Sequence, residues 1–262
     1  MASRQPVNQS TSQPVNESTR PSGGGAPALP LAPPARYVVH FAIGGDARFL
    51  SHHDLLRALE RLAVRAELPL RYSQGFNPRP RMWVPLPRPV GVAAEDDLLV
   101  LALEAVMETG EILDPLRRFA PRGLRFLRAE TLPGTRPPRP ATAAYELPLD
   151  EQRLATVEQT CHNYSPLPSW PVERRVTSSR GGRVTARPVD LRPLVADLGV
   201  SQGRLCFTLV RQGDLWARPA EVLRLLGLDE RVDLARLVRT GATYDETVSE
   251  AAPEGPADEP VE

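Results

Sequence analysis

No run of eighteen or more apolar residues occurs in the chain, which argues against a membrane-spanning helix. The opening stretch, MASRQPVNQSTSQPV, lacks the apolar core of a secretory leader. Only two cysteines are present, Cys161 and Cys206. They are too few for a disulfide framework and, by themselves, for an iron–sulfur cluster. Lysine is absent, and all 32 basic residues are arginine. Arginine forks suit phosphate and carboxylate. The chain is also rich in Ala, Pro, Gly and Leu, and a coding bias explains the whole preference, so no function is read from it. Glycine-rich phosphate loops are missing too, because Gly44-Gly45 and Gly181-Gly182 lack the required frames. Neither a G-x-S-x-G elbow nor C-x-x-C or H-E-x-x-H spacing occurs. These absences disfavour ATP, GTP and dinucleotide sites, a serine hydrolase of that type and a zinc centre. The expectation is a cytoplasmic protein that binds no metal or cofactor of its own.

What is present is unevenly distributed. The 262 residues balance 32 basic against 32 acidic groups. Residues 36–140 carry sixteen arginines against twelve acids, and residues 141–240 fourteen against twelve. Residues 241–262 hold seven acids and no arginine. The body is therefore mildly basic and the terminal acids mask it. Such a tail either solubilises the chain or shields a basic face from an anionic partner. Residues 1–35 are Gln-, Ser-, Pro- and Gly-rich with almost no aliphatics, which predicts a disordered tail. Residues 243–262 predict a second, acidic one.

Between the tails the pattern predicts an α+β fold. A strand over 36–43 ends at Gly44-Gly45, and Leu55, Leu59, Leu62 and Ala66 mark an amphipathic helix over 52–66. Ser51 is placed to cap that helix, with Asp54 three positions on. A long loop with a short strand at Met82-Trp83-Val84 follows, then a strand at 97–104, a helix at 109–119 and a strand at 124–130. This β-α-β-β-α-β order is the ferredoxin-like arrangement. The second half reads similarly: a strand at 142–148, a helix at 150–160, strands at 171–177, 182–191 and 204–211, a helix from Pro219 to Leu226, and a last strand at 232–239. The expected layout is two ferredoxin-like domains in tandem, 36–132 and 141–242, joined by a linker at 133–140.

The densest candidate site is the segment from Arg71 to Trp83. It contains Tyr72, Ser73, Gln74, Phe76, Asn77, Arg79 and Arg81, and no acid occurs between Glu67 and Glu95. Tyr72, Phe76 and Trp83 suit base stacking and the arginines suit phosphate contact. A structural loop with core-filling aromatics explains the same residues. A second acid-free stretch carries Arg174, Arg175, Arg180 and Arg183. It reads as a basic hairpin able to track a phosphate backbone, or simply as a solvated one. His52 and His53 fall in the first helical turn, where an anion is favoured. His52 is a candidate acid/base group, with His40 on the neighbouring strand as its companion.

The run Arg48-Phe49-Leu50-Ser51-His52-His53-Asp54-Leu55 resembles a hallmark of the radical SAM-linked protein family, also called the DUF2344 domain family. So does Tyr72-Ser73-Gln74-Gly75-Phe76-Asn77-Pro78-Arg79-Pro80, and Asp190–Leu194, Arg218–Leu223 and Arg239-Thr240-Gly241 are also similar. The resemblance covers about 36–242. It implies a radical SAM protein encoded nearby as partner, with SAM and the iron–sulfur cluster held by that partner. It supplies no catalytic residues. His53 stands where the family usually has an aliphatic residue, which speaks against a shared catalytic role there. At fold level only, the chain also resembles RNA endonucleases built from two ferredoxin-like domains.

The leading expectation is a non-catalytic accessory domain that binds RNA or another anionic substrate for the partner enzyme. Its site would draw on Arg48, Ser51, His52 and Asp54 together with the two basic stretches. The alternatives are a metal-independent ribonuclease or RNA-modifying enzyme using a histidine near Ser51, and a protein-interaction scaffold.

Overall fold

The computed structural model describes residues 35–134, 137–177 and 184–245. Both predicted tails, apart from their innermost residues, lie outside these. The described part runs β1 (Ala35–Ile43), α1 (His52–Arg65), β2 (Met82–Trp83), β3 (Ala93–Leu103), α2 (Thr109–Phe119), β4 (Leu124–Thr131), β5 (Arg139–Pro148), α3 (Glu151–Tyr164), β6 (Pro171–Thr177), β7 (Val184–Asp190), β8 (Val195–Ser201), β9 (Arg204–Val210), α4 (Pro219–Leu225), α5 (Glu230–Asp233) and β10 (Val238–Asp245). The fold is mixed α+β.

One sheet joins β4-β1-β3-β10-β5-β9-β8 in that order, with β2 also pairing β3. Every pairing along it is antiparallel except β3 with β10, which is parallel and limited to Val238↔Ala93 and Arg239↔Ala94. That short seam connects the first half of the chain to the second. β6 and β7 form a separate two-stranded sheet.

Period-two alternation sorts each strand onto two faces. On β1, Tyr37, Val39, Phe41 and Ile43 enter a core with Leu55, Leu59 and Leu62 of α1 and Ile112, Leu113 and Leu116 of α2. The three α1 leucines recur at helical spacing, and each contributes roughly 1.5–3 kcal/mol by burial. The intervening Val38 packs on the other face, with Leu98 and Val100 of β3. A second core gathers Tyr145, Leu147, Val157, Leu205, Phe207, Val222 and Leu223. The predicted cap of α1 forms: the Ser51 hydroxyl accepts from the Asp54 backbone N–H at 3.1 Å and donates to the Asp54 carboxylate at 2.6 Å.

Three sequence expectations need correction. β8, over Val195–Ser201, is a strand the sequence pattern does not predict, and the strands at β6 and β7 do not join the main sheet. Alternation is weak in β8 because Asp197 has φ +52° and the register shifts between Ala196 and Gly199. The last strand lies at Val238–Asp245 and not at 232–239. Asp229 accepts from the Arg231 and Val232 backbone N–H groups and starts a helical turn in that place.

Candidate functional site

The segment between α1 and β2 folds back on itself as a narrow hairpin. The Arg71 N–H donates to the Ala102 carbonyl at 2.9 Å, and the Arg81 N–H to the Arg71 carbonyl at 2.7 Å. Tyr72 bridges Pro80, and the Ser73 N–H reaches the Arg79 carbonyl at 2.8 Å. The Ser73 hydroxyl accepts from the Arg79 N–H at 3.0 Å. These bonds fix the base and leave Gln74, Phe76 and Asn77 at an exposed tip. Phe76 is fully exposed, and Tyr72, Arg79 and Arg81 are exposed beside it. Trp83 is instead half-buried, with the Arg36 guanidinium 5.3 Å from its ring. An uncovered phenyl ring at the tip, with exposed arginines lower on the same hairpin, can stack on a flat group while the arginines meet an anion.

The motif at the start of α1 lies elsewhere. The Arg48 carbonyl accepts from Gly91 N–H at 2.9 Å, just before β3 begins, whereas the hairpin is bonded to Ala102, near its end. β3 spans 11 residues, so the two motifs stand on the order of 30 Å apart along the sheet. Arg48 lies over Phe49 at 5.0 Å. His52 is half-buried, and burial with the neighbouring His53 pushes its pKa down. Ser51 and Asp54 are engaged in the helix cap.

His40 does not join His52. It projects with Val38 and Leu98 from the sheet face opposite α1. Its Nδ1 lies 2.6 Å from Asp96, and Arg128 bridges Asp96 at 2.9 Å and Glu130 at 3.1 Å. His40 is thus one member of a mixed-charge network.

The second basic stretch is divided. The Arg174 guanidinium grips Glu221 with two bonds, of 2.6 and 2.7 Å, and also the Trp216 carbonyl at 2.9 Å. It fastens β6 to α4 instead of facing solvent. Arg175 sits opposite Ala186 in the backbone ladder. The Arg175 side chain, Arg180 and Arg183 lie outside the described residues.

Sequence reading passed over one polar cluster. Asp97, Arg239 and Tyr145 are almost fully buried where the two halves meet. Arg239 Nε donates to Asp97 at 2.9 Å, and Arg239 Nη2 donates to the Leu86 carbonyl at 3.1 Å. Arg88, also buried, donates through one nitrogen to the Arg48 carbonyl at 2.7 Å and to the carbonyls of Pro89 and Val92. The available signal was Asp97 standing directly before the apolar run Leu98–Leu103 of a predicted strand. Among the described residues, no group of three or more His, Cys, Asp or Glu side chains is arranged to hold a metal ion, and no helix is long and apolar enough to cross a membrane.

A family model described as "Uncharacterized protein conserved in bacteria (DUF2344)" matches residues 36–219. No curated protein matches the chain. The chain belongs to the DUF2344 family.

Proposed function

We propose that this DUF2344 protein is an accessory binding module that presents RNA to a separate radical SAM enzyme. The observation that carries this reading is the hairpin tip, where Phe76 is fully exposed between Tyr72 and the arginines Arg79 and Arg81. An exposed phenyl ring offers a stacking face, and single-stranded bases offer flat faces with phosphates close by. The bonds at the hairpin base lower the ordering cost of binding.

The tandem ferredoxin-like layout is part of the same reading. In each half the first long strand is flanked by two later ones: β1 by β3 and β4, and β5 by β9 and β10. A further strand extends each half, β2 on β3 and β8 on β9, and β6–β7 is an insertion. This reading keeps the boundary between the halves near 133–140.

The test is fluorescence anisotropy with a labelled single-stranded RNA across a salt series. Binding should weaken steeply with salt. Arg79→Ala with Arg81→Ala, and separately Phe76→Ala, should each lower affinity by about tenfold or more. Affinity unchanged in both variants would remove the RNA reading. Co-purification with the radical SAM protein tests the partner half independently.

A further inference from the structure

A pocket of about 510 Å³ opens at the junction of the two halves. Its walls include Leu86, Arg88, Tyr145, Arg211, Trp216 and Arg218. The remaining lining is proline and alanine, and no acid contributes. The volume is that of a small-molecule site.

The charge around the pocket does not balance. Behind it, two buried guanidiniums, Arg88 and Arg239, share one buried carboxylate, Asp97. Arg239 takes Asp97 as its ion-pair partner. Among the described residues, Arg88 bonds only to carbonyl oxygens, and its Nε is buried with no partner. Arg239 Nη1 and Asp97 Oδ2 are likewise unpartnered. Burial pushes the Tyr145 and Tyr244 hydroxyls up, so neither supplies a negative charge near neutrality. Burial pulls Arg88 down to about 10, which leaves it cationic at neutral pH. At the rim Arg211 is paired with Asp245, whereas Arg218 is exposed and makes no ion pair among the described residues. A buried cation without a counter-ion is strongly unfavourable, so an anion that reaches Arg88 relieves a penalty already present in the fold.

From this geometry we infer that the junction pocket binds a small amphipathic anion, a flat apolar body carrying one carboxylate or phosphate. The body would lie against Trp216, Leu86 and the prolines, and the head would meet Arg88 and Arg218. The observation is independent of the hairpin.

The test is calorimetric titration of the full chain with 2-naphthoate, neutral 2-naphthamide and acetate. Saturable 2-naphthoate binding is expected, with naphthamide and acetate weaker by about tenfold or more. Trp216→Ala should weaken both ring compounds, and Arg88→Gln should abolish the preference for the anion. Arg88 also holds three carbonyls, so thermal melts accompany each variant. If Arg88→Gln unfolds, Arg218→Gln carries the charge test, with naphthoate weakened several-fold and naphthamide unchanged. Arg79→Ala with Arg81→Ala should leave naphthoate binding intact. Equal affinity for naphthoate and naphthamide would overturn the proposal. So would full binding retained in both Trp216→Ala and Arg218→Gln, loss in the hairpin variant, or no binding at millimolar concentration.

Discussion

Arg239 of β10 and Asp97 of β3 form a buried ion pair across 142 positions of sequence. The pair sits beside the parallel pairing of β3 with β10, where, among the described residues, two residue pairs join the strands. Its Nη2 bond to Leu86 also ties in the loop that follows β2. A buried ion pair thus bridges a seam this short.

Asp97→Asn leaves two buried guanidiniums without a carboxylate. The expected loss is about 3–5 kcal/mol of unfolding free energy, read as a lower urea midpoint. Replacing both partners with Leu and Met should recover part of it, because the desolvation of Asp97 and Arg239 is then removed while Arg88 stays buried without a carboxylate. An unshifted midpoint in Asp97→Asn would show that the pair does not hold the seam.

Gly123→Ala should destabilise the chain by about 2 kcal/mol or more. Gly123 has φ +89°, and an added Cβ would stand 2.5 Å from the Gly44 carbonyl and 2.7 Å from Ala47 Cβ. Gly44 N–H also donates to the Gly123 carbonyl at 2.9 Å, so backbone retreat would break that bond. A thermal melt equal to that of the parent would contradict the close approach.

Arg174→Ala should act on stability before it acts on any ligand. It strands the buried Glu221 and removes one tie between β6 and α4, leaving the bond from Arg224 to the Glu173 carbonyl. A loss of about 3–5 kcal/mol is expected for breaking a buried pair. RNA affinity measured well below the melting temperature should stay near that of the parent. The opposite pattern, full stability with lost affinity, would place Arg174 at a binding surface.

His52 gives the stability a pH dependence. Its folded pKa lies below the ordinary value of 6.5, through burial and then repulsion from His53. The unfolded chain therefore takes up the proton first, and stability falls as pH drops through 6.5 toward the folded value. Above 6.5 both states are neutral at this position and the effect vanishes. His52→Asn should flatten this part of the curve in urea titrations between about pH 7.5 and 5. An identical slope in parent and variant would remove the assignment.

The sequence alone determined the local structure wherever one signal dominated. Leucine spacing and the Ser51 cap defined α1, because burial of one helix face requires that periodicity, and the unbroken apolar run Leu98–Leu103 defined the body of β3, which is buried on both faces. The family hallmarks were also legible, as was the stiff Arg- and aromatic-rich loop. Tertiary structure alone decided what those residues face. It placed the hairpin and the start of α1 at opposite ends of β3, and turned His40 to the other face of the sheet from α1. It used Arg174 internally on Glu221 and brought Arg88, Asp97 and Arg239 together behind one pocket. The physical reason is range: hydrophobic periodicity and capping act within a few residues, whereas a buried charge meets its partner only after strands far apart in sequence have paired.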